Sequence, residues 1–93
     1  MRAIYNNQVI AESDMTVVIE GNHYFPANSV KKKFLIESDT YTTCPWKGKA
    51  SYYHVVVNGE KLEDAAWYYP FPRNLAEKIK GHIAFWNGVE VTE

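Results

Sequence analysis

The sequence predicts a mainly β, antiparallel, single domain over residues 1–93, with one or two short helices. Two observations predict it. Four short strand-like runs are each followed by an Asn- or Gly-containing dipeptide and then by another such run. The chain is also 46% apolar and 15% aromatic, which is enough to bury one core at this length.

The first signal is Asn6-Asn7 between RAIY and VIAE, and the second is Gly21-Asn22 between MTVVIE and HYF. Asn58-Gly59 follows ASYYHVVV, and Asn87-Gly88 joins HIAFW to VEV. Asn and Gly accept the positive φ angles of a type I′ turn, whose twist suits a hairpin. A turn of helix is expected at Asn28 or Ser29, giving way to a strand at 34–38. A second helix is expected over 72–81, with Asn74 as cap, Glu77 three residues on, and Leu75 and Ile79 sharing a face. Gly81 suits the position just past its end. In the strand before Asn58, Ala50, Tyr52, His54 and Val56 share one face, and Ser51, Tyr53, Val55 and Val57 the other. Neither face is plainly polar, so this strand is expected to be covered on both sides.

Charge and motifs remove several functions. Ten Lys and Arg against eleven Asp and Glu give a net charge of −1, which argues against a nucleic-acid polymer as partner. The exception, Lys31-Lys32-Lys33, reads as a solvated edge. One cysteine excludes an intrachain disulfide and a four-cysteine zinc site, and His23, His54 and His82 lack ligand spacing, so no metal and no cofactor are expected. MRAIYNN has no apolar core of a secretion signal, and no apolar run is long enough to span a bilayer, so no membrane partner and a cytoplasmic setting are expected. Gly48-Lys49 is followed by Ala50, and Thr43 stands where a P-loop needs its first glycine. Neither G-x-S-x-G nor G-x-G-x-x-G is present.

One stretch concentrates what chemistry is left: TTCPWKGKASYYHV, from Thr42 to Val55. Pro45 holds Cys44 out of the helical region and fixes its direction. Cys44 is a candidate nucleophile, with Lys47 to stabilise a thiolate and His54 as base. Lys47 is equally a point charge for a phosphate or carboxylate, with Gly48 allowing close backbone approach. Ser38, Thr40, Thr42 and Thr43 add hydroxyls upstream, and Asp39 is a candidate acid/base. Downstream, Trp67 and Tyr69 alternate onto one face before Pro70 and Pro72 stop the strand. The two proline-marked, aromatic segments flank Asn58-Gly59, so a hairpin there brings Cys44, Lys47, Tyr52, Trp67 and Tyr69 to one cavity. An unpaired ammonium is costly to bury, so Lys47 must meet solvent, an acid or an anionic ligand.

The order HYFP (23–26), ESDT (37–40), TCPWKGKASY (43–52), AWYYP (66–70) and IAF (83–85) resembles the family filed as domain of unknown function 427, also labelled nucleotidyltransferase-like. The resemblance covers nearly the whole chain and implies a compact two-sheet β-tent. Some proteins of that architecture hold zinc through two cysteine pairs, which this chain lacks. Its acids near the motifs are Glu37, Asp39 and Asp64.

The first functional expectation is a small-molecule pocket walled by Cys44, Trp46, Lys47, Tyr52, Trp67 and Tyr69. There Lys47 takes an anionic group, the aromatics a planar body, and Ser38, Thr40 and Thr43 orient it. The alternative is an enzyme acting on a nucleotide or phosphorylated metabolite, with Asp39 or His54 as acid/base or Cys44 as nucleophile. An interaction module, with a homodimer mate or another protein on exposed aromatics, is the third.

Overall fold

A computed structural model describes residues 1–93. Nine strands carry the chain: β1 (Arg2–Tyr5), β2 (Gln8–Glu12), β3 (Val17–Ile19), β4 (Asn22–Tyr24), β5 (Leu35–Cys44), β6 (Gly48–Val57), β7 (Glu60–Tyr68), β8 (Ile83–Phe85) and β9 (Glu90–Thr92). All strand pairs are antiparallel. They form three sheets, in the orders β2-β1-β9, β3-β4 and β5-β6-β7-β8. No helix is long and apolar enough to cross a membrane.

Three two-residue hairpin turns have both central residues at positive φ, as type I′ geometry requires. They are Asn6-Asn7 (52°, 61°), Glu20-Gly21 (54°, 81°) and Asn58-Gly59 (52°, 81°). The second lies one residue earlier than the Gly21-Asn22 expected, because Asn22 already pairs with Ile19 in the ladder. Asn87-Gly88 has the same φ signs but joins no hairpin. β8 pairs with β7, whereas β9 pairs with β1, so this turn is a corner between two sheets.

The helical segments are short 3₁₀ turns at Ala27–Ser29, Lys32–Phe34 and Asn74–Ile79. The last corrects the helix expected over 72–81. Arg73, not Asn74, is its N-cap, no side chain caps it, and Ala76 breaks its helical angles (φ −114°, ψ 17°). Three residues per turn bury Ala76 and Ile79 and leave Leu75 80% exposed, so the i, i+4 pairing of Leu75 with Ile79 does not form. Lys31, Lys32 and Lys33 are exposed, as a solvated edge requires.

The four-stranded sheet is covered on both faces by different clusters. Val55, Val57, Ala66, Ile83 and Phe85 pack with Ala3, Ile10 and Phe25 of the N-terminal region. Ala50, Tyr69 and Ala84 pack with Ile19 and Tyr24 of the β3–β4 hairpin and with Ala76 and Ile79. Ala84 lies between Ile83 and Phe85, so the period of two puts these clusters on opposite faces. Each fully buried Ile or Phe contributes about 1.5–3 kcal/mol through lost apolar exposure. The second face is only partly covered: Tyr52, Trp67 and Cys44 are half-buried there.

Two irregularities shape that open face. Between Glu37↔Tyr53 and Tyr41↔Ser51, β5 places Ser38, Asp39 and Thr40 opposite Tyr52 alone. Between Tyr53↔Ala66 and Val55↔Leu62, β7 places Glu63, Asp64 and Ala65 opposite His54 alone. Extra residues bend a strand out of its ladder and re-aim its side chains. Asp64 takes a left-handed φ of 52° within the second bulge.

Candidate functional site

β5 and β7 are not neighbours, for β6 runs between them. Two strand spacings amount to roughly 10 Å. The bulges nevertheless meet. Ser38 Oγ donates to Asp64 Oδ1 at 2.5 Å and Thr40 Oγ1 donates to Asp64 Oδ2 at 2.8 Å. The Ser38 hydroxyl also accepts the Thr40 backbone N–H at 3.0 Å, which tightens the β5 arch. His54 of β6 lies against this bridge: its Nδ1 accepts the Asp64 backbone N–H at 3.0 Å and stands 3.6 Å from Asp64 Oδ1. In that geometry a neutral ring carries its proton on Nε2. The Ser38 hydroxyl, joined by Thr40, His54 and Lys61, holds the Asp64 carboxyl below its ordinary value against a smaller opposing effect of burial. Asp64 is therefore ionised at neutral pH.

Aromatic rings run from this bridge into the packed part of the face. Trp86 Nε1 donates to the Asp64 carbonyl at 2.7 Å, and its ring meets Trp67 edge-on at 6.4 Å between centroids. Trp67 in turn meets Tyr24 edge-on at 6.1 Å, and its Nε1 donates to the Tyr24 hydroxyl at 3.2 Å. Tyr52 pairs directly with Trp67 across the ladder and shares a 3.0 Å hydrogen bond with Thr42. Trp86 is half exposed.

At the far end lies Lys47. The Pro45–Lys47 turn joins β5 to β6, and the Lys47 carbonyl accepts the Arg73 N–H at 2.9 Å. Gly48 sits at φ 110°, where a Cβ would stand 3.3 Å from the Phe71 carbonyl, so only glycine lets the turn lie against that segment. Lys47 is the one buried charged side chain. Its ammonium donates to the Glu20 carboxylate on the β3–β4 turn and stands 5.0 Å from the Trp46 ring and 6.0 Å from the Tyr69 ring. Burial pulls its pKa down, but the Glu20 bond, with Tyr24 and Cys44 nearby, outweighs burial and leaves it raised. The same bond holds the Glu20 carboxyl below its ordinary value. Burial pushes the Tyr24 and Tyr69 phenols up, so both stay neutral donors.

The side chains picked out in the sequence thus fall into three groups. Cys44, Trp46, Lys47, Tyr52, Trp67 and Tyr69 belong to one cluster. They are packed against one another and enclose no cavity. The one sizeable concavity, about 680 Å³, is lined by Asn7, Gln8, Glu12, Asn28, Ser29 and Lys31 among others, and none of the candidate site residues borders it. Ser38, Thr40 and His54 meet at the Asp64 bridge. Asp39 and Thr43 join neither group: both are exposed, and neither side chain makes a hydrogen bond or ion pair. Thr43 lies between Thr42 and Cys44 in the strand and so points to the opposite face. No three His, Cys, Asp or Glu side chains gather as a metal-binding group.

Sequence reading missed Glu20, Tyr24, Asp64 and Trp86 as members of the site. Asp64 stood out only as an acid near the motifs. Glu20 had one signal: an acid at a turn position where this chain otherwise uses Asn.

The model of the family described as Domain of unknown function (DUF427) matches residues 1–93. A search of curated proteins finds no match.

Proposed function

We propose, from the premise that the chain belongs to the DUF427 family, that it is an enzyme acting on a nucleotide or another phosphorylated metabolite at the open face of the four-stranded sheet. The family's short name, NTP_transf_9, points to nucleotidyl transfer. The observation that carries the reading is the bridged pair of bulges. It fixes His54 against an ionised Asp64, beside the half-exposed indole of Trp86. Such a pair can hold and move a proton next to a surface on which a base can stack.

The residues divide the work. Trp67 and Trp86 take the planar body. Lys47 takes the anionic end, since an ammonium is a compact charge for phosphate. In the tautomer shown, His54 Nε2–H lends a hydrogen bond to a phosphate oxygen and keeps its proton, since losing it would leave an imidazolate. As the general base, the ring releases the Asp64 N–H and turns Nδ1–H to the Asp64 carboxylate 3.6 Å away. It then takes at Nε2 the proton of the hydroxyl or water that attacks phosphorus, while the displaced phosphate group leaves as an anion. Ser38 and Thr40 hold Asp64 for either role. Cys44 stays in the packed cluster beside Lys47 and takes no part in proton transfer. On this reading the fold is a β-tent, with the four-stranded sheet as one panel. The setting is cytoplasmic, where phosphorylated metabolites are at hand.

Binding without turnover is the second reading, favoured by the completeness with which Glu20 already neutralises Lys47. Phosphorus NMR of the protein incubated with each common nucleoside triphosphate and with phosphorylated sugars separates the two. New phosphorus resonances are expected with the wild type. His54→Ala should slow their appearance by about 10²–10⁴-fold, the usual contribution of a positioned acid/base. No product from any of these compounds, or a His54→Ala rate equal to wild type, refutes the enzyme reading.

A further inference from the structure

We infer that Lys47 is an exchangeable anion site, in which the Glu20 carboxylate stands in for a phosphate group of the ligand and is displaced when that group binds. This deepens the proposed function and rests on it for the ligand's class.

The two partners of the ion pair are unequal. The Lys47 side chain is 9% exposed and held on a short turn, while the Glu20 side chain is 55% exposed. Lys47 is held among Trp46, Tyr69 and Tyr24, and no other acid bonds to it, so its charge needs another anion whenever Glu20 is away. Glu20 can leave, because its carboxylate is hydrated as soon as it turns outward. The site is thus built around the cation and open on the side of the anion.

The position of Glu20 is the second observation. It is the first central residue of a two-residue turn, at φ 54°. The corresponding positions elsewhere hold Asn6, Asn58 and Asn87, at 52°, 52° and 54°. Asn enters this left-handed region readily, and Glu does so at a steric cost. The turn therefore carries an unfavourable residue whose side chain chiefly neutralises Lys47, with Trp46 as a lesser partner. Gly21, next to it, meets nothing within 4 Å of where a Cβ would be, so the turn has room to move outward. The hairpin that carries it is small, with three residues in each strand and no ladder to another sheet beyond the isolated Phe25↔Ile83 bridge.

The third observation is chemical. The groups facing the ammonium are aromatic rings, a thiol and two phenols kept neutral by burial. Apart from the Glu20 carboxylate, none repels an incoming phosphate. Tyr24 and Tyr69 hydroxyls add donors to a phosphate oxygen once Glu20 has gone. An internal carboxylate that must be expelled lowers the apparent affinity by the fraction of time the site is open. It also excludes singly charged anions, which compete less well than a phosphate chain of higher charge.

Calorimetric titration of inorganic pyrophosphate into the intact chain tests this, with wild type, Glu20→Gln, Lys47→Met and the double variant. Glu20→Gln is expected to bind about tenfold more tightly or better, and Lys47→Met to abolish binding in either background. In the wild type, saturating pyrophosphate should shift the Glu20 side-chain carboxyl carbon and the Gly21 amide in NMR spectra, a readout that stands even where Glu20→Gln does not fold. The inference is overturned if pyrophosphate does not bind, if folded Glu20→Gln binds no better than wild type, if its gain survives in Lys47→Met, or if the Glu20 and Gly21 signals stay fixed at saturation. Pyrophosphate has no planar body and needs no His54. Exchange at Lys47 without nucleotide turnover would remove the proposed function and leave the latch, and turnover without exchange would do the reverse.

Discussion

Asp64→Asn isolates the charge at the centre of the bridge. Asn fits the left-handed φ of 52° as well as Asp does, so the backbone of the bulge is undisturbed. What is lost is ionisation. Hydrogen bonds to a charged group contribute about 1.5–3 kcal/mol when buried. Asp64 accepts two such bonds, from Ser38 and Thr40, but its side chain is 31% exposed, and solvent screening reduces their worth. Together they amount to about 2 kcal/mol, and Asn keeps one neutral bond, so the expected loss is about 1 kcal/mol. For a domain of this size that corresponds to a fall in Tm of about 4–8 °C. Thermal unfolding followed by circular dichroism at pH 7 measures it. The same measurement in a Ser38→Ala background closes a double-mutant cycle, and a coupling of about 0.5 kcal/mol or more is expected for side chains in direct contact. A Tm unchanged within about 1 °C, or effects that simply add, would show that the two bulges are not held together through Asp64.

Acid should unfold the protein through the same groups. Glu20 and Asp64 both have folded pKa values below their ordinary 4.5 and 3.8, so the unfolded chain binds more protons in acid. Their stabilisation is complete above those ordinary values and is lost as pH falls through the folded ones, and Glu20→Gln with Asp64→Asn should flatten this limb of a stability-against-pH curve. At the alkaline end the Tyr53 phenol, pushed up from 10 to about 12 mainly by burial, favours the folded state below pH 10 and loses that contribution as pH rises to about 12. Urea unfolding across pH 9–12 should show the decline, and Tyr53→Phe should reduce it. Gly48→Ala meets both a φ of 110° and the Phe71 carbonyl, whereas Gly59→Ala meets only its φ of 81°, so denaturation midpoints should place Gly48→Ala lower by about 1 kcal/mol or more. Trp67→Ala removes the ring that joins Tyr24 to Trp86, and chemical denaturation should register a loss of about 3 kcal/mol.

The features legible in the sequence are those fixed by local chemistry. Asn-Asn and Asn-Gly dipeptides mark two true hairpins because few residues accept paired positive φ angles. The two proline-marked aromatic segments meet because they flank one such hairpin, which sets Tyr52 opposite Trp67. That Lys47 needs solvent, an acid or an anionic ligand was also legible; that it is buried against Glu20 was not. What escaped depends on non-local arrangement. A strict alternation along β7 puts Asp64 on the face of Leu62 and Ala66, and only the bulge breaks that alternation and brings it to His54. Asp39 looked as promising as Ser38 and Thr40, yet the arch that aims those two at Asp64 leaves it in solvent. Leu75 and Ile79 fit an α-helical face, but a 3₁₀ turn brings Ala76 to the core instead. Asn87-Gly88 carries the same chemistry as Asn58-Gly59, and only the pairing of β9 with β1 makes it a corner.

The location of the site is tested most directly by the three tryptophan indole N–H signals in a proton–nitrogen NMR titration with a nucleoside triphosphate. The indoles report separate places: Trp86 on the Asp64 bridge, Trp67 on Tyr24, and Trp46 beside Lys47. Saturable shifts of Trp86 and Trp67, with His54 moving at the same concentrations, are the predicted result. Indoles that stay fixed, while the amides of Asn7, Gln8 and Lys31 around the remote concavity move, would put the ligand elsewhere and contradict a site on this face of the sheet.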